Sequence, residues 1–473
     1  MADPGIVVEL AEWAASVEYA SLPADVAADT GPRVLDIIGL ALAALPLDTS
    51  RAAVGYAAET GGAPQASAVG VSAKLPAAQA AFVNGVLAHS LDYDDTHLPS
   101  ILHPSASVVP AVLAAAERHQ RSGAEVIAAV AVGLELCIRL GMAGYDHERR
   151  QSTFFEHGQH ATSICGTVAG AAAAAKLAGL DAAGISSAMG VAASMASGII
   201  EANRSGGTVK RMHCGWAAHA AVTAAELVAR GITGPPTALE GRFGFYAAFL
   251  HGRFDAAALT DGLGQRWAQP AIHYKPYPAN HFTHAVIDAG LAFRADGVTA
   301  GDIASVEIGV AGPTVRTIGE PLDVKQAPET GYQAQFSGPY AFAAALAGGG
   351  GLGLGLDDFT DELARDPGRR ALMARTTVVA DAECDAIYPD ELPAVVRVRT
   401  TGGDDLIQRV LANRGGPARP LTTDELATKY RDNAGRVLPA AAVDAIESAA
   451  ASLASLDDIT TLLAPTSQAK EIT

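Results

Sequence analysis

Four short stretches of this chain concentrate the side chains able to move protons or hold anions. The densest runs from His89 to Ser105 and holds Asp92, Asp94, Asp95, Thr96, His97 and His103. An imidazole changes charge near neutral pH, and a neighbouring carboxylate can orient it, so this stretch suits general acid–base work. It lies between two apolar, alanine-rich segments, where polar groups need partners or a task. A divalent-metal site from His89, Asp92, Asp94 and Asp95 is the rival reading. A solvated loop is the plain one.

The second stretch, His157 to Thr167, places His160 at the start of an alanine-rich helix. Free N–H groups and the helix dipole favour anions there; a cap or core histidine is the alternative. The third, Gly206 to Trp216, sets Lys210, Arg211 and His213 within four residues after two glycines. The glycines permit a tight loop, and the cations suit a carboxylate; a solvated basic turn is the alternative. In the fourth, Tyr274 to His284, Pro276 and Pro278 stiffen the segment carrying Lys275, ahead of a helix from about Asn280. His281 and His284 share a helix face at i and i+3. Packing is favoured over metal ligation for that pair.

The whole chain sets limits on these stretches. It has 473 residues, with 33 Lys+Arg against 51 Asp+Glu, so the balance is 33 − 51 = −18. That excludes a nucleic-acid partner, which needs a basic face. A small acidic ligand would need local cations, such as Lys210, Arg211, His213 and Lys275, within a field that repels it on average. Apolar residues make 49% and charged ones 18%, the reverse of a disordered chain. Cys137, Cys165, Cys214 and Cys384 are scattered without metal-ligand spacing and read as reduced buried thiols of a cytoplasmic protein. No signal peptide and no clean apolar run of membrane-spanning length is read, so no membrane partner is expected. The run Gly348 to Gly355 lacks the Lys-Ser/Thr of a phosphate loop and follows a helix, so it reads as a flexible connection.

The elements that must position these groups are mainly helical. Helical periodicity covers 6–20, 31–46, 76–91, 107–119, 123–141, 161–178, 183–199 and 215–230. The pattern changes near residue 266. Ile303 to Val310 alternates as a strand should, and Thr376 to Ala380 and Val395 to Arg399 are strand-like, with helices at 280–294 and 337–347 between them. Helices return after Leu421, where Thr422 or Thr423 can cap, and at 439–453. The expected fold is mainly α: a large all-helical domain built from both chain ends (1–265 and 406–473), with a smaller α+β domain (266–405) inserted.

Taken in order, the motifs resemble the MmgE/PrpD family, which includes 2-methylcitrate dehydratases, cis-aconitate decarboxylases and iminodisuccinate epimerases. The resemblance runs through Asn84, Gly85, Ala88, His89, the segment Leu91 to Thr96, and His103 to Ala106. It continues at Cys165 to Thr167, Lys210, Met212, His213, Gly215 to Ala218, Gly231 to Pro235 and Leu239 to Gly241. Lys275 to Pro278, Phe336, Ser337, Tyr340 and Pro420 to Thr422 complete it. It implies a helical domain with an inserted α+β lid, a homodimer, and no metal or organic cofactor. It also implies a pocket between domain and lid containing Asp92, Thr96, His103, His160, Lys210, Lys275 and Tyr340. The family's chemistry implies proton transfer at a carbon next to a carboxylate of a small di- or tricarboxylate.

On that basis His103 or His160 is the expected base, with Tyr340, Lys275 or the other histidine as acid and Asp92 orienting a neighbour. Thr96, Lys210, Arg211, His213 and Asn280 are the expected substrate contacts. One departure bears on the reaction. Many relatives carry Cys at the position of Asn280, and the decarboxylases carry His; an amide transfers no proton. The segment Phe154 to His157 also differs from the common pattern. The leading expectation is a hydro-lyase resembling 2-methylcitrate dehydratase. An epimerase of an imino- or amino-dicarboxylate and a cis-aconitate-type decarboxylase are the alternatives. A metal-dependent hydrolase and a non-catalytic helical scaffold are more remote.

Overall fold

The computed structural model describes residues 5–470, and for residues 203 and 204 the backbone alone. It is mostly helical, with 57% helix and 8% strand. The chain packs as two compact units. One runs up to Ile272 and resumes at Asn433; the other spans His273–Asp432. The second crossing therefore falls at 432/433 rather than at the expected 405/406.

The first unit is built on α1 (Ile6–Ser16), α2 (Ala24–Ala44), α3 (Asp48–Thr60), α4 (Ala77–His89), α5 (Pro104–Arg118) and α6 (Gly123–Ala143). A two-residue hairpin, β1 (Tyr145–Asp146) and β2 (Gln151–Ser152), leads to α7 (Thr153–Glu156), α8 (Ala161–Leu177), α9 (Ala182–Ala193), α10 (Ala202–Ser205) and α11 (Lys210–Val228). Every residue of α8 but Lys176 is buried. A helix apolar all round must be enclosed by others, and α5, α6, α9 and α11 pack around it. Its alanines let those neighbours come close. Two glycines set the tightest approach: a Cβ on Gly215 would stand 2.4 Å from the Phe82 carbonyl, and one on Gly85 2.7 Å from Gly215 Cα. Only glycine at both places lets α4 and α11 touch backbone to backbone, which brings the end of α4 beside the start of α11.

α6 corrects one expectation. By length and composition it is apolar enough to cross a membrane, and 94% of its most apolar window is buried inside the unit. Its charges are paired internally: Arg139 Nε meets Glu135 Oε1 at 2.7 Å and the guanidinium also donates to the carbonyls of Leu259, Asp261 and Arg266. The last helices close the same unit. The helix Ala440–Ala451 packs on α2, and Gly123 N–H at the start of α6 donates to Leu456 O at 2.7 Å.

The second unit has a four-stranded mixed sheet in the order β4 (Thr376–Ala380), β3 (Ile303–Val310), β5 (Ala394–Thr400), β6 (Asp405–Val410). β3 runs parallel to β4 and antiparallel to β5, with Ile308 opposite both Val378 and Val396. β5 pairs antiparallel with β6, which is why residues past 405 stay with this unit. Apolar residues of β3 and β5 share a core with Val286, Phe293 and Phe342 from the helices His284–Ala295 and Gly338–Ala347. The glycine run after the latter helix is a cradle already filled. The amides of Gly350 and Gly355 both donate to Asp358 Oδ2, at 3.1 and 2.9 Å.

Candidate active site

In the helical unit the ends of four helices converge. His89 is the last residue of α4, His103 immediately precedes α5, His160 immediately precedes α8, and Lys210 opens α11. Three helix N-termini thus add positive potential at one place. The loop from α4 to α5 turns sharply. Asp92 adopts a left-handed backbone (φ 51°), a cost that a short polar side chain tolerates best. His97 closes the remainder of that loop: its N–H donates to Leu102 O at 2.8 Å, and its ring meets Ser100 Oγ at 2.7 Å.

Adjacent carboxylates have separate partners. Asp94 Oδ2 lies 2.8 Å from His89 Nδ1 and 3.9 Å from His103 Nδ1. Asp95 turns the other way: its Oδ2 accepts from Arg33 Nη1 at 3.0 Å and from the Ser105 hydroxyl, and its Oδ1 accepts from Ser105 N–H at 3.2 Å. Asp92 Oδ1 lies 3.4 Å from Lys210 Nζ. The Asp95 main-chain carbonyl meets His103 Nδ1 at 2.7 Å. A carbonyl only accepts, so Nδ1 carries the proton and the basic position of His103 is Nε2. Thr96 Oγ1 stands 3.4 Å from the same Nδ1, and Thr162 Oγ1 accepts from His103 N–H at 3.1 Å.

The rings form a chain. Centroids of His89 lie 5.2 Å from His103 and 5.5 Å from His160, and His160 lies 5.0 Å from His213. His160 and His213 meet Nδ1 to Nδ1 at 3.0 Å. One must donate and the other accept, so between them they present one bare Nε2 and one Nε2–H. Their charge states agree with this. Burial first, then the charges of His89 and Lys210, push His160 well below the ordinary imidazole range and His213 down to about 4. His89 goes the other way: burial opposes its charged form, but the combined pull of Asp94 and Cys214 outweighs it and favours the imidazolium. Burial lifts the Asp95 carboxyl to about 6 against the pull of Arg33 and Ser105. The cluster therefore combines two ion pairs, His89–Asp94 and Lys210–Asp92, with uncharged rings that can give or take protons.

Among the described residues, ligand atoms of Asp92, Asp94 and His103 lie within 4.8 Å of one another, as a metal site requires. A divalent ion there would have to share Asp92 with Lys210 and Asp94 with the His89 imidazolium, an unfavourable contest between cations. Asp95, expected in such a set, faces Arg33 instead.

Of the expected residues, Asp92, Thr96, His103, His160, Lys210 and His213 come together in this unit. Arg211 Nη1 donates to Thr49 Oγ1 on α3 at 3.2 Å. Lys275, Asn280 and Tyr340 belong to the second unit. Lys275 is buried. Asn280 Oδ1 accepts from Phe282 N–H at 3.1 Å and so caps the turn His281–Thr283. Tyr340, expected as an acid, is buried in the core of that unit. Its hydroxyl donates to Asp358 O at 2.5 Å and accepts from Arg369 Nη1 at 2.6 Å, and burial raises it to about 12. The residues that sequence reasoning missed are Arg33, Ser105 and Thr162, together with the role of His89 and Asp94 as an ion pair. Arg33 had a signal: a lone cation opening the apolar part of α2 needs a buried anion.

The chain matches a known family along most of its length. Residues 8–257 match the MmgE/PrpD N-terminal domain and residues 277–455 the MmgE/PrpD C-terminal domain. The chain is 28% identical over 484 residues to the cis-aconitate decarboxylase of Aspergillus terreus (strain NIH 2624 / FGSC A1156), covering 98% of this chain and 96% of that one. It is 29% identical over 409 residues to the human cis-aconitate decarboxylase, covering 82% and 80%. With the cis-aconitate decarboxylase-like protein oryM of Aspergillus oryzae (strain ATCC 42149 / RIB 40) it shares 26% over 480 residues, covering 97% and 96%.

Proposed function

We propose that this chain, which belongs to the MmgE/PrpD family, is a lyase of small tricarboxylates whose reaction is decarboxylation of the cis-aconitate type. The observation that carries the reading is His103. Its Nδ1–H is tied to the Asp95 carbonyl, so the ring turns a defined Nε2 toward proton transfer, beside Lys210 and three helix N-termini.

The chemistry asks for little else. When the bond between the substrate's methylene carbon and its carboxylate breaks, carbon dioxide leaves and the electron pair passes into the adjacent alkene. The pair comes to rest next to another carboxylate as an enediolate, and a proton delivered to that carbon completes the reaction. No electrons are gained or lost overall. Lys210 and the helix N-termini oppose the negative charge as it moves. His103 Nε2, or the Nε2–H of the His160–His213 pair, supplies the proton. Thr96 sits beside His103 and suits a substrate carboxylate, while Asp92 holds Lys210 in place.

Dehydration of a hydroxy-tricarboxylate, as by a 2-methylcitrate dehydratase, is the second reading. Asn280 favours it, since an amide transfers no proton where the family resemblance implies a proton-transferring residue in decarboxylases, and this amide is engaged as a cap. Purified protein incubated with cis-aconitate in deuterated water separates the two. Carbon dioxide release with one deuterium in the product is the expected result. Inertness toward cis-aconitate with alkene formation from 2-methylcitrate would transfer the site to the second reading.

A further inference from the structure

We propose that Asp95, anchored by Arg33 and Ser105, is the positioning residue that holds His103 in the tautomer with its basic nitrogen at Nε2. The catalytic consequence rests on the lyase reading above; the tautomer itself does not.

The geometry runs in one direction. Arg33 lies on α2, 62 positions before Asp95, and is 2% exposed. Its guanidinium donates to Asp95 Oδ2 at 3.0 Å and to Ile272 O at 2.9 Å, and its Nε is paired with Asp29. Ser105, in the first turn of α5, binds both oxygens of the same carboxylate. The Asp95 side chain is therefore fixed from two elements at once. A residue fixed so firmly also fixes its own carbonyl, and that carbonyl meets His103 Nδ1 at 2.7 Å. His103 is two residues before Ser105, so side chain and carbonyl of Asp95 grip both sides of the α5 start. Other groups near the same nitrogen stand farther off. Asp94 Oδ2 is 3.9 Å from Nδ1, Thr96 Oγ1 is 3.4 Å away, and the His89 ring faces it at 5.2 Å between centroids. Around Asp95 the charged neighbours are Arg33, Asp94 and Asp36; burial favours its protonated form, and the contacts with Arg33 and Ser105 oppose that.

A histidine tautomer matters because the wrong one offers a proton where a lone pair is needed. The test reads the tautomer directly. Protein labelled with 15N-histidine, at alkaline pH and without substrate, is expected to show His103 with a protonated Nδ1 and a bare Nε2; a His103→Gln variant assigns the signals. Asp95→Ala should produce a mixture of tautomers. With substrate, kcat should then fall about tenfold or more while KM stays within about twofold. Ser105→Ala removes one anchor with little risk to folding, and should give a smaller but detectable second tautomer. If Asp95→Ala does not fold, Ser105→Ala decides alone. A folded variant with His103 still wholly in the wild-type tautomer overturns the proposal. If the tautomer shifts as expected but wild-type protein turns over no tricarboxylate, the positioning role stands and the lyase reading falls.

Discussion

Both units bury polar networks, and these differ in how their hydrogen-bonding atoms are occupied. In the second unit, Tyr277 donates to Asp288 Oδ1 at 2.6 Å and accepts from Arg414 at 3.0 Å, while Arg419 meets the other oxygen of Asp288 at 2.8 Å. Tyr340 is enclosed in the same way by Asp358 and Arg369. Each hydroxyl has its donor and its acceptor, and burial raises both phenols, so neither proton is on offer. In the helical unit His160 and His213 share one proton between their Nδ1 atoms, and His103 gives its Nδ1 proton to a main-chain carbonyl. The lesson is that residue type does not identify a catalytic group. A full count of donors against acceptors does, because a proton committed to a short bond between fixed partners serves the fold.

The largest expected effect tests the helical side of this contrast. His103→Gln keeps size and polarity but cannot carry a proton between pH extremes, and should lower kcat by about two to four orders of magnitude. Circular dichroism and the melting temperature should stay near wild type. A folded variant retaining more than about a tenth of wild-type turnover would break the comparison at its base.

Stability against pH comes next. The folded state resists protonating His213, whose proton affinity lies near pH 4 rather than the ordinary value of about 6.5. Unfolded chains take up that proton first, so stability falls as pH drops through this window. Asp95 acts with the opposite sign. Its raised affinity means the folded state protonates first below about 6, which offsets part of the loss. His89 governs the alkaline side: its stabilisation is complete below the ordinary imidazole range and is lost as pH rises through its elevated value. Urea unfolding at a series of pH values should show a shallower acid limb in His213→Gln than in wild type. An unchanged slope would remove His213 from the buried neutral pair.

Adjacent cations give the third test. Lys210→Met removes the charge paired with Asp92, and should lower kcat/KM roughly tenfold to a hundredfold, as loss of a charge-assisted bond does. Arg211→Met, whose guanidinium reaches Thr49, should stay within about threefold. Equal losses at the two positions would erase the distinction between them.

Much of the fold was legible because periodicity and caps are local. The helix expected at 123–141 is observed at Gly123–Ala143, started by a capping box between Ser122 and Glu125. The strand Ile303–Val310 is found as expected, and Thr422 caps the last segment's first helix through Glu125's counterpart there, Glu425. α3 was missed because only Ser50, Ala53 and Ala57 are buried on it, too narrow a stripe to read. β6 was missed, and the boundary with it, because its residues alternate only between exposed and half-buried. The site's residue types were equally plain, since histidines and a lysine at helix starts stand out in an alanine-rich background. Their division of labour was not. Asp94 and Asp95 are neighbours in sequence, yet one answers to His89 and the other to Arg33 on a distant helix. Tertiary packing alone decides such pairings.

Tyr340 carries the smallest effect and the sharpest check on the contrast. Tyr340→Phe removes one hydroxyl and leaves the ring in its core. Arg369 Nη1 keeps the Asp358 carbonyl as an acceptor at 3.1 Å, and that carbonyl keeps Arg369 as a donor. No buried group is orphaned, so the cost should be only about 1 kcal/mol, the net worth of an ordinary hydrogen bond. Turnover should be unchanged within about twofold, since the proton being removed was never available. Tyrosine here and His103 in the helical unit would then differ by orders of magnitude in kcat despite both being buried, polar and able in principle to ionise. A tenfold loss of kcat in a Tyr340→Phe protein of normal stability would mean that the bond to Asp358 opens during the reaction, and the count of donors and acceptors in the resting protein would no longer separate the two clusters.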